Sequence, residues 1–280
     1  MKRMSLLFCT FLFITGMNAQ INTPQASPKG TVSQQIGLTD FSITYSRPSA
    51  KGRVVFGDVV PFGKTWRTGA NQATLFTVSD DVTIEGQELK AGKYALYTVP
   101  EKNTIEWIFY KNTTSWGLPE QWNDADVAIK VKTAFNTTAN KTETLTFNFD
   151  ELRNNSAVLK LSWDNMEGVC KIAVNTDNKV LKDIEKALAG PSANDYYAAG
   201  KYYYESDKDL NKSYEWIHKA NEMSPKYFTL RQEALVLAKM KKYKEAVTVA
   251  QKSLELAKAA GSDEYVKMNT KDSADWSKMK

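Results

Sequence analysis

The chain has 280 residues, of which 42% are hydrophobic and 25% charged, and its formal net charge is +5. That length leaves room for two domains with their own cores, while the charge is too balanced to predict nucleic-acid binding. The sequence contains only two cysteines. Cys9 lies in the first 19 residues. If these residues are removed, Cys170 is the one cysteine left, and the chain cannot form an internal disulfide.

Residues 1–19 have the layout of a secretory signal peptide. Lys2 and Arg3 precede an apolar run over residues 6–14, and Ala19 supplies a small residue at the end. The run is too short to cross a bilayer, and no later segment approaches 18 apolar residues. We therefore expect a secreted protein, periplasmic or associated with the cell envelope, with no transmembrane segment in the mature chain. The alternative is a retained N-terminal anchor.

The apolar pattern of residues 20–175 is mostly that of β-strands. Phe41, Ile43 and Tyr45 alternate with polar residues, and the runs 93–99 and 105–110 are apolar on both faces. About nine such strands follow one another with turn residues between them and no helical pattern. This predicts an N-terminal antiparallel β-sandwich, or a barrel-like domain, and an α+β multidomain class for the whole chain.

Residues 46–73 form what we call the basic segment. It carries five basic side chains and one acid, Asp58, whereas residues 20–176 as a whole contain 16 basic and 16 acidic residues. A long irregular stretch of this kind is uncommon unless it is functional or tightly packed. It has four glycines but no phosphate-loop motif. The segment is therefore a local positive feature on a neutral domain.

Seven residues in and near the basic segment are candidate ligand-binding residues: Arg47, Lys51, Arg53, Trp66, Arg67, Asn71 and Trp116. Arginine can hold a carboxylate or phosphate with two hydrogen bonds, and exposed tryptophan can stack on a sugar ring. A small anionic or carbohydrate ligand would suit this set. The alternative is structural: the arginines pair with acids such as Asp58 or Asp126, and Trp66 plugs one end of the sandwich.

Catalytic and metal-binding sets are not recognisable in the sequence. The single histidine, His218, cannot supply a histidine cluster, and Cys170 lies in an apolar strand-like run where thiols are usually inert. We predict no metal site and no cofactor, and favour a non-catalytic binding or scaffolding protein. The rival function is an envelope hydrolase acting on sugar or peptide through carboxylates such as Asp124 and Asp126.

Near residue 176 the spacing of the apolar residues changes from the two-residue period of strands to the period of a helix. Residues 176–191 predict a linker helix that ends at Gly190-Pro191, and Ser192 with Asp195 forms a capping-box pattern. In residues 192–280 the apolar and small positions repeat at an offset of 33 residues, so that Ser213 corresponds to Ala246. Helical repeats of this length are typical of stacked helix pairs. A C-terminal capping helix is expected to cover the last pair.

The helical half resembles tetratricopeptide repeats. The first unit, residues 193–226, carries the family's aromatic, glycine, aromatic and small-residue scheme, in the order Tyr196, Gly200, Tyr203, Ser213, Ile217, Ala220 and Pro225. The second unit, residues 227–258, keeps Ala246 but lacks the glycine and proline. The resemblance implies helical-hairpin packing and a protein partner bound through the repeats; a brace for the β domain is the alternative.

Residues 27–174 resemble an exported bacterial family known as domain of unknown function 2911. The matching motifs are Tyr45-Ser46-Arg47-Pro48, Lys51-Gly52-Arg53, Trp66-Arg67-Thr68-Gly69-Ala70-Asn71, Gly92-Lys93-Tyr94-Ala95-Leu96 and Trp116-Gly117. Where the family more often has an acid, this chain has Gln72. The resemblance implies export, a β-rich domain and an attached helical tail, and it brings no established activity, substrate or catalytic residue.

Overall fold

The computed structural model of the protein describes residues 23–187 and 191–279. The predicted signal peptide and the predicted helix end at Gly190 lie outside these residues. The strands are β1 Lys29–Ile36, β2 Thr39–Ser46, β3 Ala70–Val78, β4 Val82–Ile84, β5 Gln87–Leu89, β6 Gly92–Pro100, β7 Thr104–Tyr110, β8 Val127–Asp150 and β9 Ser156–Val174. The helices are α1 Thr176–Ala187, α2 Ala193–Glu205, α3 Leu210–Met223, α4 Tyr227–Lys239, α5 Tyr243–Ala259 and α6 Asp263–Trp276. Strands followed by helices confirm the predicted α+β class.

The nine strands form one antiparallel sheet in the order β1-β2-β3-β6-β7-β8-β9-β4-β5. The long strand β8 belongs to both halves of this sheet, because residues 127–134 pair with β7 and residues 135–150 pair with β9. Irregular pairing along β8 between residues 137 and 146 marks the place where the strand bends. The sheet can therefore fold over itself into two packed layers.

Aromatic side chains fill the space between the two layers. The ring of Phe41 on β2 lies 5.7 Å from that of Phe149 on β8, and Tyr45 and Phe147 are 4.9 Å apart. Phe41, Ile43 and Tyr45 are all buried, as their alternation with polar residues predicted. The aromatic residues of the β-rich half thus act mainly as its core.

A smaller apolar cluster lies on the other face of the central strands. Its buried members are Ala73, Ala95, Tyr97, Ile108 and Tyr110. The loop of residues 111–126 covers it, with the Trp122 ring against the rings of Tyr97 and Tyr110. The Tyr97 hydroxyl donates to the Gly117 carbonyl oxygen at 2.9 Å, and burial raises the Tyr97 pKa to about 12. This bond fixes the loop next to the basic segment.

The helical part consists of antiparallel pairs. Helix α2 packs on α3 and α4 packs on α5, and α6 lies against α5. The equivalent positions Ser213 and Ala246 are both fully buried, as are Ile217 and Ala250. This agrees with the predicted offset of 33 residues and with helix pairs; the tetratricopeptide assignment itself stays a prediction. The capping box of Ser192 and Asp195 is formed.

Polar contacts join the β-rich half to the helices. Lys179 of α1 forms an ion pair of 2.6 Å with Asp80, and Asn154 donates to Ser206 at 3.2 Å. Asp177 of α1 accepts hydrogen bonds from Lys208, at 2.8 Å, and from Tyr202. Helix α1 thus contacts both the sheet and the α2–α3 region.

Candidate functional site

The basic segment follows β2 and leads into β3. Phe56 and Trp66 from this segment pack into the core, where the Trp66 ring stacks on Trp163 at 5.8 Å. The Trp66 backbone also pairs with that of Thr98 on β6. The segment is therefore tightly packed along part of its length, and the predicted ligand role of Trp66 stays a prediction.

Two residues of the basic segment, Arg47 and Lys51, contact residues 143–146 of β8, and Arg53 lies close to them in the chain. Arg47 donates from Nε to the Leu145 carbonyl oxygen at 3.1 Å and from Nη2 to Thr146 Oγ1 at 2.9 Å. The backbone nitrogen of Lys51 donates to Glu143 Oε1 at 2.8 Å. Arg53 donates to the carbonyl oxygens of Ser49 and Ala50. The contacts of Arg47 and Lys51 hold the start of the segment against β8, whereas those of Arg53 lie within the segment.

The partners of the arginines differ from the predicted ones. Within the described parts of the chain, neither Asp58 nor Asp126 forms an ion pair with an arginine. Arg47 and Arg53 instead donate mainly to backbone carbonyl oxygens, which are acceptors that sequence does not single out because every residue carries one. The structural role of these two side chains is plain, while the predicted ligand role of Arg47, Lys51 and Arg53 stays a prediction.

Arg67, Asn71 and Trp116 come together at the other end of the basic segment. Arg67 Nη1 donates to the Asn71 carbonyl oxygen at 2.8 Å, and its guanidinium lies against Gly117. The Asn71 side chain donates to Ser27 and Ser46 oxygens, each at 3.3 Å. Trp116, next to Gly117 in the chain, is 70% exposed. The Arg67 guanidinium and the exposed Trp116 indole are thus both held at the contact between the basic segment and the 111–126 loop.

Backbone geometry holds this cluster in place. Thr68 and Asn71 have φ angles of 54° and 58°, and a positive φ is rare for a β-branched residue such as threonine. Thr68 is fully buried, its hydroxyl lies 3.1 Å from that of Thr98, and its carbonyl oxygen accepts from Thr74 at 2.8 Å. These bonds stabilise an unusual turn that places Arg67 toward the 111–126 loop. Strained backbone of this kind is often found at functional sites.

A cavity of about 210 Å³ lies beside Trp116. Its lining includes Gln72, Thr113, Thr114 and Ser115, so amide and hydroxyl groups surround the indole. Such groups can both donate and accept hydrogen bonds. The cavity therefore has the chemistry that a sugar or another polyhydroxylated ligand requires. The sequence identified Trp116 as a candidate ligand-binding residue. It did not identify Gln72, Thr113, Thr114 or Ser115 as such, because these residue types are common in any loop.

Asp124 and Asp126, the carboxylates on which the hydrolase alternative depends, form local hydrogen bonds. Asp124 accepts from Trp122 Nε1 at 3.0 Å, and Asp126 accepts from the Tyr110 hydroxyl and the Asn123 amide, each at 3.4 Å. Both belong to the short 3₁₀ helix Asp124–Asp126, which Asn123 caps. Acids in such turns commonly satisfy nearby donors.

The environment of Cys170 is that of a core residue. Cys170 is fully buried in the core, and this burial raises the pKa of its thiol. Among the residues that the structure describes, no group of three or more His, Cys, Asp or Glu side chains is arranged to hold a metal ion. In the same residues, no helix is long and apolar enough to cross a membrane.

The helical part contains a second candidate site, which sequence analysis missed. Glu233 of α4 is only 3% exposed, and its carboxylate accepts from Asn221 Nδ2 at 2.7 Å and lies 2.7 Å from His218 Nδ1. A groove of about 600 Å³ runs past this group. In the sequence, Glu233 directly precedes the apolar run of residues 234–238. Glutamate is rarely buried, so an acid next to such a run could have pointed to this site.

The fold defines a two-part protein, an antiparallel sheet of nine strands in the described residues followed by helix pairs. The chain belongs to the family described as "Protein of unknown function (DUF2911)", whose model matches residues 27–172. This confirms the resemblance read from the sequence motifs. No curated protein and no solved structure matches the chain.

Proposed function

We propose that this chain is an exported, non-catalytic binding protein of the cell envelope, whose β-rich part holds a small anionic or carbohydrate ligand beside Arg67 and Trp116. The observation that carries the proposal is the position of the Arg67 guanidinium. It is held by the neutral Asn71 carbonyl oxygen, it lies against Gly117, which follows the exposed Trp116 in the chain, and no carboxylate pairs with it in residues 23–187 and 191–279.

The chemistry of this cluster supports a ligand with a sugar face and a negative group. A guanidinium without an acidic partner can form two parallel hydrogen bonds to a carboxylate or phosphate. The indole of Trp116 supplies a flat apolar face, and the nearby Gln72 and Thr113 supply hydrogen-bonding groups. Because Thr68 and Asn71 fix the turn, the guanidinium would lose little freedom on binding.

Two further parts of the proposal rest on sequence patterns. Export to the periplasm or envelope rests on the signal-peptide layout of residues 1–19. Protein binding by the helices rests on the tetratricopeptide-like motif and on the helix pairs observed for α2–α3 and α4–α5. Cell fractionation of the full-length chain, compared with a form lacking residues 2–19, tests the export part by itself.

The ligand site can be tested with matched arginine variants. Purified protein is titrated with uronic-acid oligosaccharides, neutral oligosaccharides and sugar phosphates, with calorimetry as the readout. We expect an acidic sugar to bind, and R67Q and W116A to weaken binding at least tenfold. R153Q is the control, because Arg153 is an exposed arginine of the same half whose guanidinium donates to the neighbouring Leu152 carbonyl oxygen.

Two results would overturn this assignment. One is the absence of binding across all three ligand sets, and the other is binding that R67Q and W116A leave unchanged. Turnover of an oligosaccharide that D124N or D126N abolishes would instead support the hydrolase alternative.

A further inference from the structure

The groove in the helical part lies between α3, α4 and α5, so it runs between the second helices of the two predicted repeat units. Its volume of about 600 Å³ is within the range of pockets that hold ligands or peptide side chains. Its apolar lining comes from Leu230, Leu237, Val249 and Leu256. Leu256 is 39% exposed, so part of this apolar surface is open to solvent.

The polar lining of the groove is mostly acidic. Glu222, Glu233, Glu245 and Glu255 contribute four carboxylates, against the single lysine Lys252. With His218 neutral, the lining therefore carries a formal charge of −3, whereas the chain as a whole carries +5. The negative groove thus contrasts with the overall charge of the protein, and its field would attract a cationic partner.

Glu233 gives the groove a fixed charge. Its carboxylate is held on one oxygen by Asn221 Nδ2 and on the other by His218 Nδ1, each at 2.7 Å. Asn221 is itself fixed by Thr229, whose hydroxyl donates to Asn221 Oδ1 at 2.5 Å. The His218 ring stacks on Tyr214, 5.4 Å away between ring centres. A buried carboxylate is costly to desolvate, and this network compensates it in one defined position.

We propose that this groove docks a positively charged, partly apolar peptide segment of another protein. Apolar side chains of the segment would contact Leu230, Leu237 and Leu256, and lysine or arginine side chains would pair with Glu245 and Glu255. Glu222 already forms an ion pair of 3.0 Å with Lys219 of the same helix. Charge complementarity selects this occupant over an acidic peptide, because like charges brought together on binding oppose association. This inference rests on the proposed protein-binding role of the helices and names its partner chemistry.

The test compares two fluorescent 12-residue peptides with the same apolar residues, one with lysine and one with glutamate at its charged positions. We expect the lysine peptide to bind to the purified protein in fluorescence anisotropy. Raising the salt from 50 mM to 500 mM should weaken this binding several-fold, because the rim carboxylates are exposed to solvent. The glutamate peptide should not bind.

Variants locate the binding in the groove. The double variant E245Q/E255Q removes two exposed rim charges without touching the buried Glu233 network, and we expect it to weaken lysine-peptide binding at least fivefold. E264Q is the matched control, because Glu264 is an exposed glutamate on α6 outside the groove lining. Circular dichroism melting checks that each variant is folded.

The outcomes separate this inference from the broader proposal. Preferential binding of the glutamate peptide would overturn the cationic partner while leaving protein binding by the helices intact. Binding of the lysine peptide that E245Q/E255Q and E264Q leave equally unchanged would overturn the groove as its site. If neither peptide binds, the inference fails, while acidic-sugar binding that depends on Arg67 would still support the ligand site of the β-rich half.

Discussion

The guanidinium of Arg67 lies against the α-carbon of Gly117, so closely that a Cβ at Gly117 would approach Arg67 Nη1 to 2.9 Å. Gly117 also has a φ of 95°, a conformation that other residues rarely adopt. The glycine therefore lets the 111–126 loop touch the basic segment. This contact brings Arg67 and Trp116 into one cluster, although 48 residues separate them in the chain.

Replacing Gly117 with alanine should disturb the cluster more than the core. We expect G117A to displace Arg67 and weaken acidic-sugar binding at least fivefold, and to lower the free energy of unfolding by about 1 kcal/mol through the strained φ. Calorimetric titration and urea unfolding measure the two effects. G86A is a suitable control, since Gly86 also has a positive φ but has no atoms near its added Cβ. Equal ligand affinities for the two variants would contradict the prediction.

Removing the Arg47 side chain should destabilise the β-rich half. R47M loses the hydrogen bonds to Leu145 and Thr146, and bonds from a charged donor contribute about 1.5–3 kcal/mol each. Because Arg47 is only half-buried, water can satisfy part of what is lost, and we expect a net loss of about 2 kcal/mol. Urea unfolding followed by tryptophan fluorescence measures this. R153M, on the exposed surface, should change stability by no more than about 0.5 kcal/mol. A small effect of R47M would mean that Arg47 is free for another role.

The contact of α1 with the repeat helices should weaken in acid. Hydrogen bonds from Lys208 and then Tyr202 lower the Asp177 pKa to about 2, below its unfolded value of 3.8. A lowered folded-state pKa means that the stabilisation is complete above about pH 4 and is lost as the pH falls toward 2. The group is partly exposed, so the contribution is on the order of 1 kcal/mol. D177N should flatten the stability profile between pH 4 and 2; an unchanged profile would contradict this role.

Gly200 should be required for the packing of α2 on α3. A Cβ at Gly200 would come within 2.5 Å of Ile217 and 2.9 Å of the Ser213 carbonyl oxygen. Overpacking of this kind costs about 1–3 kcal/mol, so G200A should lower the helical melting temperature measured by circular dichroism. In the control, G261A, the added Cβ meets no atom, although its φ of 68° adds a small strain. If G200A melts like G261A, the two helices pack less closely than described.

Cys170 should be inert in the folded protein. It is fully buried, and the raised pKa keeps its thiol protonated at neutral pH. Protein lacking residues 1–19 should show no labelling by iodoacetamide in native buffer and one labelled thiol in 6 M urea, as detected by mass spectrometry. Rapid native labelling would show that the surrounding strands open readily.

Much of the fold was predictable because it depends on local patterns. Alternation at Phe41, Ile43 and Tyr45 indicated strands with one buried face, and the sheet places all three in the core. The 33-residue offset between Ser213 and Ala246 predicted two equivalent helix pairs, because helix packing repeats with the spacing of small residues. Family membership could likewise be read from short motifs such as residues 66–71.

The site was predictable only in part. The sequence identified Arg67, Asn71 and Trp116 as candidates, and the structure gathers them, but it places Arg47 and Arg53 against backbone carbonyl oxygens instead. Glu233 was missed altogether, because its partner His218 is 15 residues away on the preceding helix α3, and only the packing of α3 on α4 brings the two together.

The sequence by itself determined the two-part architecture, the family and the concentration of basic side chains in residues 46–73. Only the tertiary structure decided that Arg47 and Arg53 donate to backbone carbonyl oxygens near their own segment or β8, while Arg67 lies against Gly117 of the 111–126 loop. The physical reason is that hydrogen-bond acceptors such as the Leu145 carbonyl oxygen are the same in every residue, so the folded chain alone determines which one meets Arg47, 98 residues away. The acidic groove has the same origin, since its carboxylates come from three helices that meet only after folding.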